Sequence, residues 1–135
     1  MKKKLIKSLI IVSVILIVFS YLQYGRKEKV LNSFSSTSAG VRNERLTIIA
    51  NRLFIYDKEQ HAKELINKAL NDSLNRFCFS WDLGTPHSIE IDVYTNEIAK
   101  RNGTVKYTVI YHPIDDDASY NVIDNADNYI LEIKD

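Results

Sequence analysis

The chain holds one cysteine, two prolines and four glycines in 135 residues. A single thiol, Cys78, forms no disulfide within the chain and excludes a zinc site built on two or more cysteines. Four glycines leave no room for a glycine-rich phosphate loop, and no G-x-x-x-x-G-K-S/T, G-x-S-x-G, C-x-x-C or H-E-x-x-H occurs. Histidine is sparse too. His61, His87 and His112 lie far apart without metal-ligand spacing, so each reads as a surface or edge residue. An excess of positive charge is also missing beyond the first 29 residues: residues 30–135 carry 11 Lys and Arg against 16 Asp and Glu, a net charge of −5. Phosphate backbones are bound through clustered cations, so nucleic acid is rejected as a partner. No internal repeat is found, and no cofactor is expected.

What is present starts at the amino end. Lys2, Lys3, Lys4 and Lys7 lead into 18 uncharged residues, Ser8 to Gly25. As a helix at about 1.5 Å per residue that run is roughly 27 Å long, close to the ~30 Å hydrocarbon core of a bilayer. Ten of the eleven residues from Leu9 to Phe19 are strongly apolar, which amounts to about −3 to −6 kcal/mol of insertion free energy. Tyr21 and Tyr24 follow where an aromatic belt falls, and Arg26, Lys27 and Lys29 end the run. The segment is read as an uncleaved single-pass anchor in the cell membrane. The competing reading is a cleaved secretory signal that releases the rest as a secreted domain. Phe19 and Tyr21 around Ser20 do not make an A-x-A-like cleavage site, however. A buried helix of a soluble fold is the third reading. Four lysines before the run against three basic residues and Glu28 after it favour a cytoplasmic amino end, with the following domain outside the cytoplasm.

Three regions are expected: a basic tail and membrane helix over 1–29, a flexible Ser-rich linker over 30–40, and a folded domain over 41–135. The last is long enough for one hydrophobic core. Leu46, Ile49, Ala50, Leu53 and Phe54 recur at helical spacing and predict a helix over 41–55, with a strand at 53–56 as the alternative. Asp57 and Gln60 form a capping-box pattern ahead of the stripe Ala62, Leu65, Ile66, Ala69 and Leu70, which predicts a second helix ending near Asn75. Alternation then takes over. Phe77, Phe79, Trp81 and Leu83 predict one strand; Ile89, Ile91 and Val93 a second, joined to the first by a turn at Gly84-Thr85-Pro86. After a turn at Asn102-Gly103, Val105, Tyr107, Val109 and Tyr111 predict the next strand. Residues 120–123 form a short candidate, and Tyr129, Leu131 and Ile133 the last strand. The expected class is α+β: an N-terminal transmembrane helix, then two helices on one face of a three- to five-stranded antiparallel meander.

Candidate chemistry is thin. In that register Cys78 faces Asp92, which raises a thiol pKa and argues against a nucleophile. Asp82, Glu90 and Asp92 share the polar face of the expected hairpin, with Tyr94 the aromatic most open to solvent. These four are the candidate binding residues. Asp115, Asp116 and Asp117, with Asp124 and Asp127 nearby, are the candidate calcium ligands, although the EF-hand spacing is absent. Asn71-Asp72-Ser73 and Asn102-Gly103-Thr104 match the glycosylation sequon but are set aside, because the Lys-, Ile- and Asn-rich composition has a bacterial style. The expected function is non-enzymatic: a membrane-anchored domain that binds a protein or other component of the cell envelope. The alternative is an anchored or secreted hydrolase using carboxylates of the sheet or of the acidic loop.

Overall fold

Apolar side chains without neighbours mark the amino end. A continuous helical segment, Lys2–Gly25, has none of its most apolar window buried, and is long and apolar enough to span a membrane or serve as a signal sequence. The computed structural model describes residues 1–75, 77–115 and 117–135. Helix α1 covers Lys2–Ser20 and passes into one wider π-helical turn, Tyr21–Gly25. A Cβ at position 25 would lie 2.6 Å from the Tyr21 ring, so the ring can lie against this turn because residue 25 is glycine.

A five-stranded sheet follows, in spatial order β1-β2-β3-β4-β5. Strand β1 (Lys29–Ser38) pairs antiparallel with β2 (Val41–Ile49) through a two-residue turn. Ala39 and Gly40 both take positive φ there (52° and 78°), the backbone that a tight primed hairpin turn needs. Residues 30–40 are therefore edge strand and turn, not a flexible linker. They carry little apolar alternation of their own, and the hydrogen-bond ladder to β2 supplies the order. The helix expected over 41–55 is instead a strand as far as Ile49 and an irregular loop beyond it, where the alternative strand at 53–56 does not form either. Arg42, Glu44, Leu46 and Ile48 are buried while Arg45 is exposed, a period of two. The β-branched residues Val41, Thr47, Ile48 and Ile49 favour the extended form.

Helix α2 (Lys58–Leu70) has the expected start and apolar stripe but ends five residues short of Asn75, the chain turning at Asn71-Asp72 where Asp72 takes positive φ (54°). The Asp57 carboxylate accepts from the Gln60 backbone N–H at 3.0 Å, satisfying one of the free amides of the first turn. Its buried face is His61, Ala62, Leu65, Ile66 and Ala69. The helix is the crossover that lets β3 (Ser88–Tyr94) return parallel to β2, Leu46 beside Ile91. The sheet is thus mixed and not an antiparallel meander. A short helix α3 (Glu97–Arg101) leads to β4 (Tyr107–Pro113), antiparallel to β3, and β5 (Tyr129–Lys134) closes the order. The α+β class holds, but the apolar face is covered by α2 together with the irregular segments that bring in Phe79 and Val122.

The segment 77–83 departs most from its alternating pattern. It runs irregularly into a short 3₁₀ turn at Trp81–Leu83 and pairs with no strand. Arg42 is the reason. Its guanidinium donates to the Ser80 carbonyl at 2.8 Å and also to the Gly84 carbonyl, taking the place of a strand neighbour. Phe77, Phe79 and Trp81 stack edge to face at 5.1 and 5.2 Å, which spaces them alternately without a strand. Phe79 is buried, Trp81 is partly buried and Leu83 is exposed. Residues 120–123 likewise form a turn-rich loop, with buried Val122 donating its N–H to the Pro86 carbonyl at 3.0 Å.

The core lies between α2 and the covered sheet face. Leu46, Ile48, Ile89, Ile91, Val93, Tyr107 and Val109 are fully enclosed beneath Ala62, Leu65, Ile66 and Ala69. The other sheet face carries polar side chains, the arrangement of an antiparallel-type sheet with one dry and one wet side.

Candidate functional site

Register assembles the wet face from four strands. Phe34 on β1 stands beside Arg45 on β2, and Arg45 beside Glu90 on β3. Asp92 comes next along β3, opposite Thr108 of β4. Arg45 Nη2 lies 2.9 Å from Asp92 Oδ2 and 3.4 Å from Glu90 Oε1. The Thr108 hydroxyl donates to the other Asp92 oxygen at 2.8 Å. The hydrogen bond from Arg45 to Asp92, then the charges of Asp92 and Glu90, raise the guanidinium pKa above its ordinary value. Beside this chain a shallow depression of about 240 Å³ opens between β1, β2 and β3. Phe34, Ser36, Asn43, Arg45, Ser88 and Glu90 line it. The Ser88 hydroxyl donates to the Asn43 side-chain Oδ1 at 2.6 Å, which steadies its floor.

The four candidate binding residues separate. Glu90 and Asp92 share the wet face as expected, but each pairs with Arg45. Asp82 sits exposed in the 3₁₀ turn whose flanking carbonyls Arg42 holds on the opposite, covered side. Tyr94 lies on β3 but is 9% exposed, because Lys100 of α3 covers it with its ammonium 5.1 Å from the ring centroid. Cys78 is exposed and does not face Asp92. Sequence reasoning missed Phe34, Asn43, Arg45 and Ser88. The first was assigned to a linker and the next two to a helix.

Of the candidate calcium ligands, Asp116 lies outside the described residues. Asp117 accepts from the Ser119 hydroxyl and backbone N–H at 2.6 and 2.9 Å, and these bonds lower its carboxyl pKa. Among the described residues no group of three or more His, Cys, Asp and Glu is placed to hold a metal ion.

Two buried polar systems lie elsewhere. Arg42 and Glu44, spaced two apart on β2, meet on the covered face with Nη2 to Oε1 at 2.5 Å and side chains 8% and 4% exposed. His61, expected at the surface, is 4% exposed, and its Nδ1 meets the Tyr107 hydroxyl. Burial, reinforced by Arg52 and Lys68, lowers the His61 pKa to about 4, and burial raises that of Tyr107. The contact therefore joins a neutral imidazole to a protonated phenol, and the ring tautomer sets which of the two donates. His61 also lines a polar cavity of about 150 Å³, with Arg26, Glu28, Arg52, Glu64 and Lys68. Burial acts to raise the Glu28 pKa, but the hydrogen bond from Lys68 at 2.9 Å, other hydrogen bonds and the Lys68 charge outweigh it and lower the value.

That cavity lies where the amino-terminal helix meets the domain, and Gln23 makes the join. It is 1% exposed, donates to the Phe54 carbonyl at 2.8 Å, and accepts from the Leu53 and Phe54 amides at 2.9 and 3.2 Å. Gln23→Leu keeps the bulk and removes all three bonds. Each orphaned buried group costs about 1–3 kcal/mol, so hydrogen-exchange protection of the Leu53 and Phe54 amides is expected to fall by about 10- to 100-fold. Unchanged protection in the full-length variant would show that the loop holds its place without Gln23.

No family model matches the chain, and no curated protein or solved structure matches it either.

Proposed function

We propose that the chain is a single-pass membrane protein whose domain stands outside the cytoplasm and binds a protein segment or another envelope component, without catalysis, at the wet face of its sheet. One observation carries this reading: the depression between β1, β2 and β3 combines an exposed apolar ring, Phe34, with a cation, Arg45, and with hydrogen-bonding Ser36, Asn43 and Ser88. Such a surface offers an apolar anchor beside directed polar contacts, the usual composition of a recognition patch. Next to it, β1 is an edge strand of ten residues whose outer side has no paired strand among the described residues, a place where an extended segment can add as a further strand. The carboxylates Glu90 and Asp92 are engaged with Arg45, which suits a charge-complementary surface. The membrane assignment is supported by the apolar, unburied helix and by the cations that follow it.

The test is photocrosslinking in intact cells, with benzoylphenylalanine replacing Phe34 in the full chain. A discrete adduct with another envelope component is expected. Its yield should fall by about tenfold when Arg45→Glu is added, since reversing one recognition charge costs upwards of 1.4 kcal/mol. Recovery of monomer alone, or of an adduct indifferent to Arg45→Glu, would overturn the assignment of this face.

A further inference from the structure

The domain is joined to the amino-terminal helix by side-chain packing as well as by the chain itself. The Phe19 ring, within the apolar run, packs on the Phe54 ring at a centroid distance of 5.8 Å, and Phe54 packs edge to face on Tyr56 at 4.5 Å. Gln23 ties the backbone of residues 53 and 54 to the turn that ends the helix. A second tie comes from Lys29, which pairs with Glu97 at the start of α3 at 3.7 Å. The register agrees with it: β1 begins, β2 and β3 end, and β4 begins at this same end of the sheet.

Ile55 points into the core, but three other apolar side chains at this end are open. Leu53 is 37% exposed, Tyr56 77% and Ile98 of α3 70%. Cations flank them along the chain, Arg26, Lys27, Lys29, Arg52, Lys100 and Arg101, of which Lys29 pairs with Glu97 and Arg52 with Glu64. We propose that the 53–56 loop and α3 form a second membrane-contacting surface, which seats the domain directly on a lipid bilayer. The occupant is lipid because a ring stacked on Phe19 shares its depth once the helix is inserted, and that depth is the edge of the hydrocarbon. Tyr56 has the apolar body and polar tip that favour the interface, and the flanking cations face the headgroup layer, where anionic lipids attract them. This inference rests on the anchor reading of the helix but not on the binding role of the wet face. Its consequence is orientation: β1 leaves the bilayer end and spans about 33 Å at ~3.3 Å per residue. The hairpin tip at Ala39-Gly40 is therefore carried away from the lipid, and the Phe34 depression stands between the two.

The experiment uses the full chain in phosphatidylethanolamine–phosphatidylglycerol vesicles. In a Cys78→Ser background, a single nitroxide is attached through Leu53→Cys, Tyr56→Cys or Ile98→Cys. Leu83→Cys and Phe34→Cys are the comparably exposed controls remote from this end, and Val14→Cys reports on the helix. Collision with oxygen and with a polar nickel chelate is read by electron spin resonance. Positions 53, 56 and 98 are expected to be open to oxygen and about tenfold less accessible to nickel than positions 34 and 83, because a polar reagent partitions poorly from water into lipid. Three outcomes overturn the proposal. Nickel access at 53, 56 and 98 equal to the controls, with position 14 shielded, removes the second surface and leaves the anchor standing. Nickel access at position 14 as well removes both. Low collision with both reagents at 53, 56 and 98 assigns the surface to protein contact, including a second copy of the chain.

Discussion

Arg42→Met is expected to destabilise the folded domain by about 3–5 kcal/mol, the cost of leaving a buried charge without its partner. Arg42 serves two structures at once. Its guanidinium neutralises Glu44, whose side chain is 4% exposed. It also donates to the Ser80 and Gly84 carbonyls and to the Ser35 hydroxyl, so it holds the 77–84 segment and the β1 edge against β2. Methionine fills most of the volume and supplies none of these bonds. Urea unfolding of the full chain in detergent measures the loss. The double variant Arg42→Met/Glu44→Leu separates charge from packing: removing both ions is often near neutral, so it is expected to recover the larger part of the deficit. The carbonyls of Ser80 and Gly84, which lose their donor on exposed residues within reach of water, set the smaller remainder. A single-variant loss below 1 kcal/mol would show that water reaches Glu44 and that the pair is not a structural lock.

The same pair explains why the strand carrying it was hard to see. From Arg42 to Ala50 the alternate residues are Arg, Glu, Leu, Ile and Ala. The first two are charged, so the apolar half of a period-two pattern was only three residues long. Meanwhile Leu46, Ile49, Ala50, Leu53 and Phe54 happened to satisfy a period of 3.6. Two buried ions that satisfy each other make a strand look polar at the positions that face the core. The better local signal was the β-branched cluster Val41, Thr47, Ile48 and Ile49. The opposite error occurred at 77–83. There the alternation of aromatic residues was real, but an arginine 38 residues away in sequence took the carbonyl that a strand would have offered to a neighbour. Elements governed by local chemistry were legible: the Asp57 cap, the apolar stripe of α2, and the alternation of β3, β4 and β5. Elements governed by a distant polar side chain were not.

Half of the candidate site was legible for a related reason. Glu90 and Asp92 belong to a strand whose own pattern places them on the wet face, whatever it pairs with. Their partner Arg45 and the apolar wall Phe34 come from β2 and β1, so they could be found only once the parallel pairing of β2 with β3 was known. Tyr94 was correctly placed on that face, but its cover comes from the short helix α3, which the turn signal at Asn102-Gly103 did not announce. Acidic residues with a neighbouring Ser or Asn, such as Asp117 and Asp124, satisfied themselves within their loop. Density of carboxylates along a sequence does not bring them to one point in space.

The His61 imidazole is expected to remain neutral until pH falls to about 4, and the fold to weaken on the way there. The native ring sits on the buried face of α2 with Nδ1 on the Tyr107 hydroxyl; the charges around it are Arg52 and Lys68, which oppose protonation, and Glu28, which favours it more weakly. An unfolded chain titrates this histidine near its ordinary value of 6.5. Between pH 6.5 and 4 the unfolded state therefore binds a proton that the native state refuses, and stability declines as pH is lowered through that window. The pKa difference corresponds to about 3 kcal/mol, fully present above pH 6.5 and lost by pH 4. Carboxylates such as Glu28, whose native pKa is lowered, act in the same direction at the acid end. Comparison with His61→Gln isolates the histidine, since an amide can keep a bond to Tyr107 but does not titrate. Wild type is expected to lose about 3 kcal/mol more than His61→Gln across the window. Imidazole NMR shifts on the full chain give the midpoint without unfolding anything. A midpoint near 6.5 would mean that the ring is hydrated in the native state, and that the cavity between helix and domain admits water freely enough to pay for a charge.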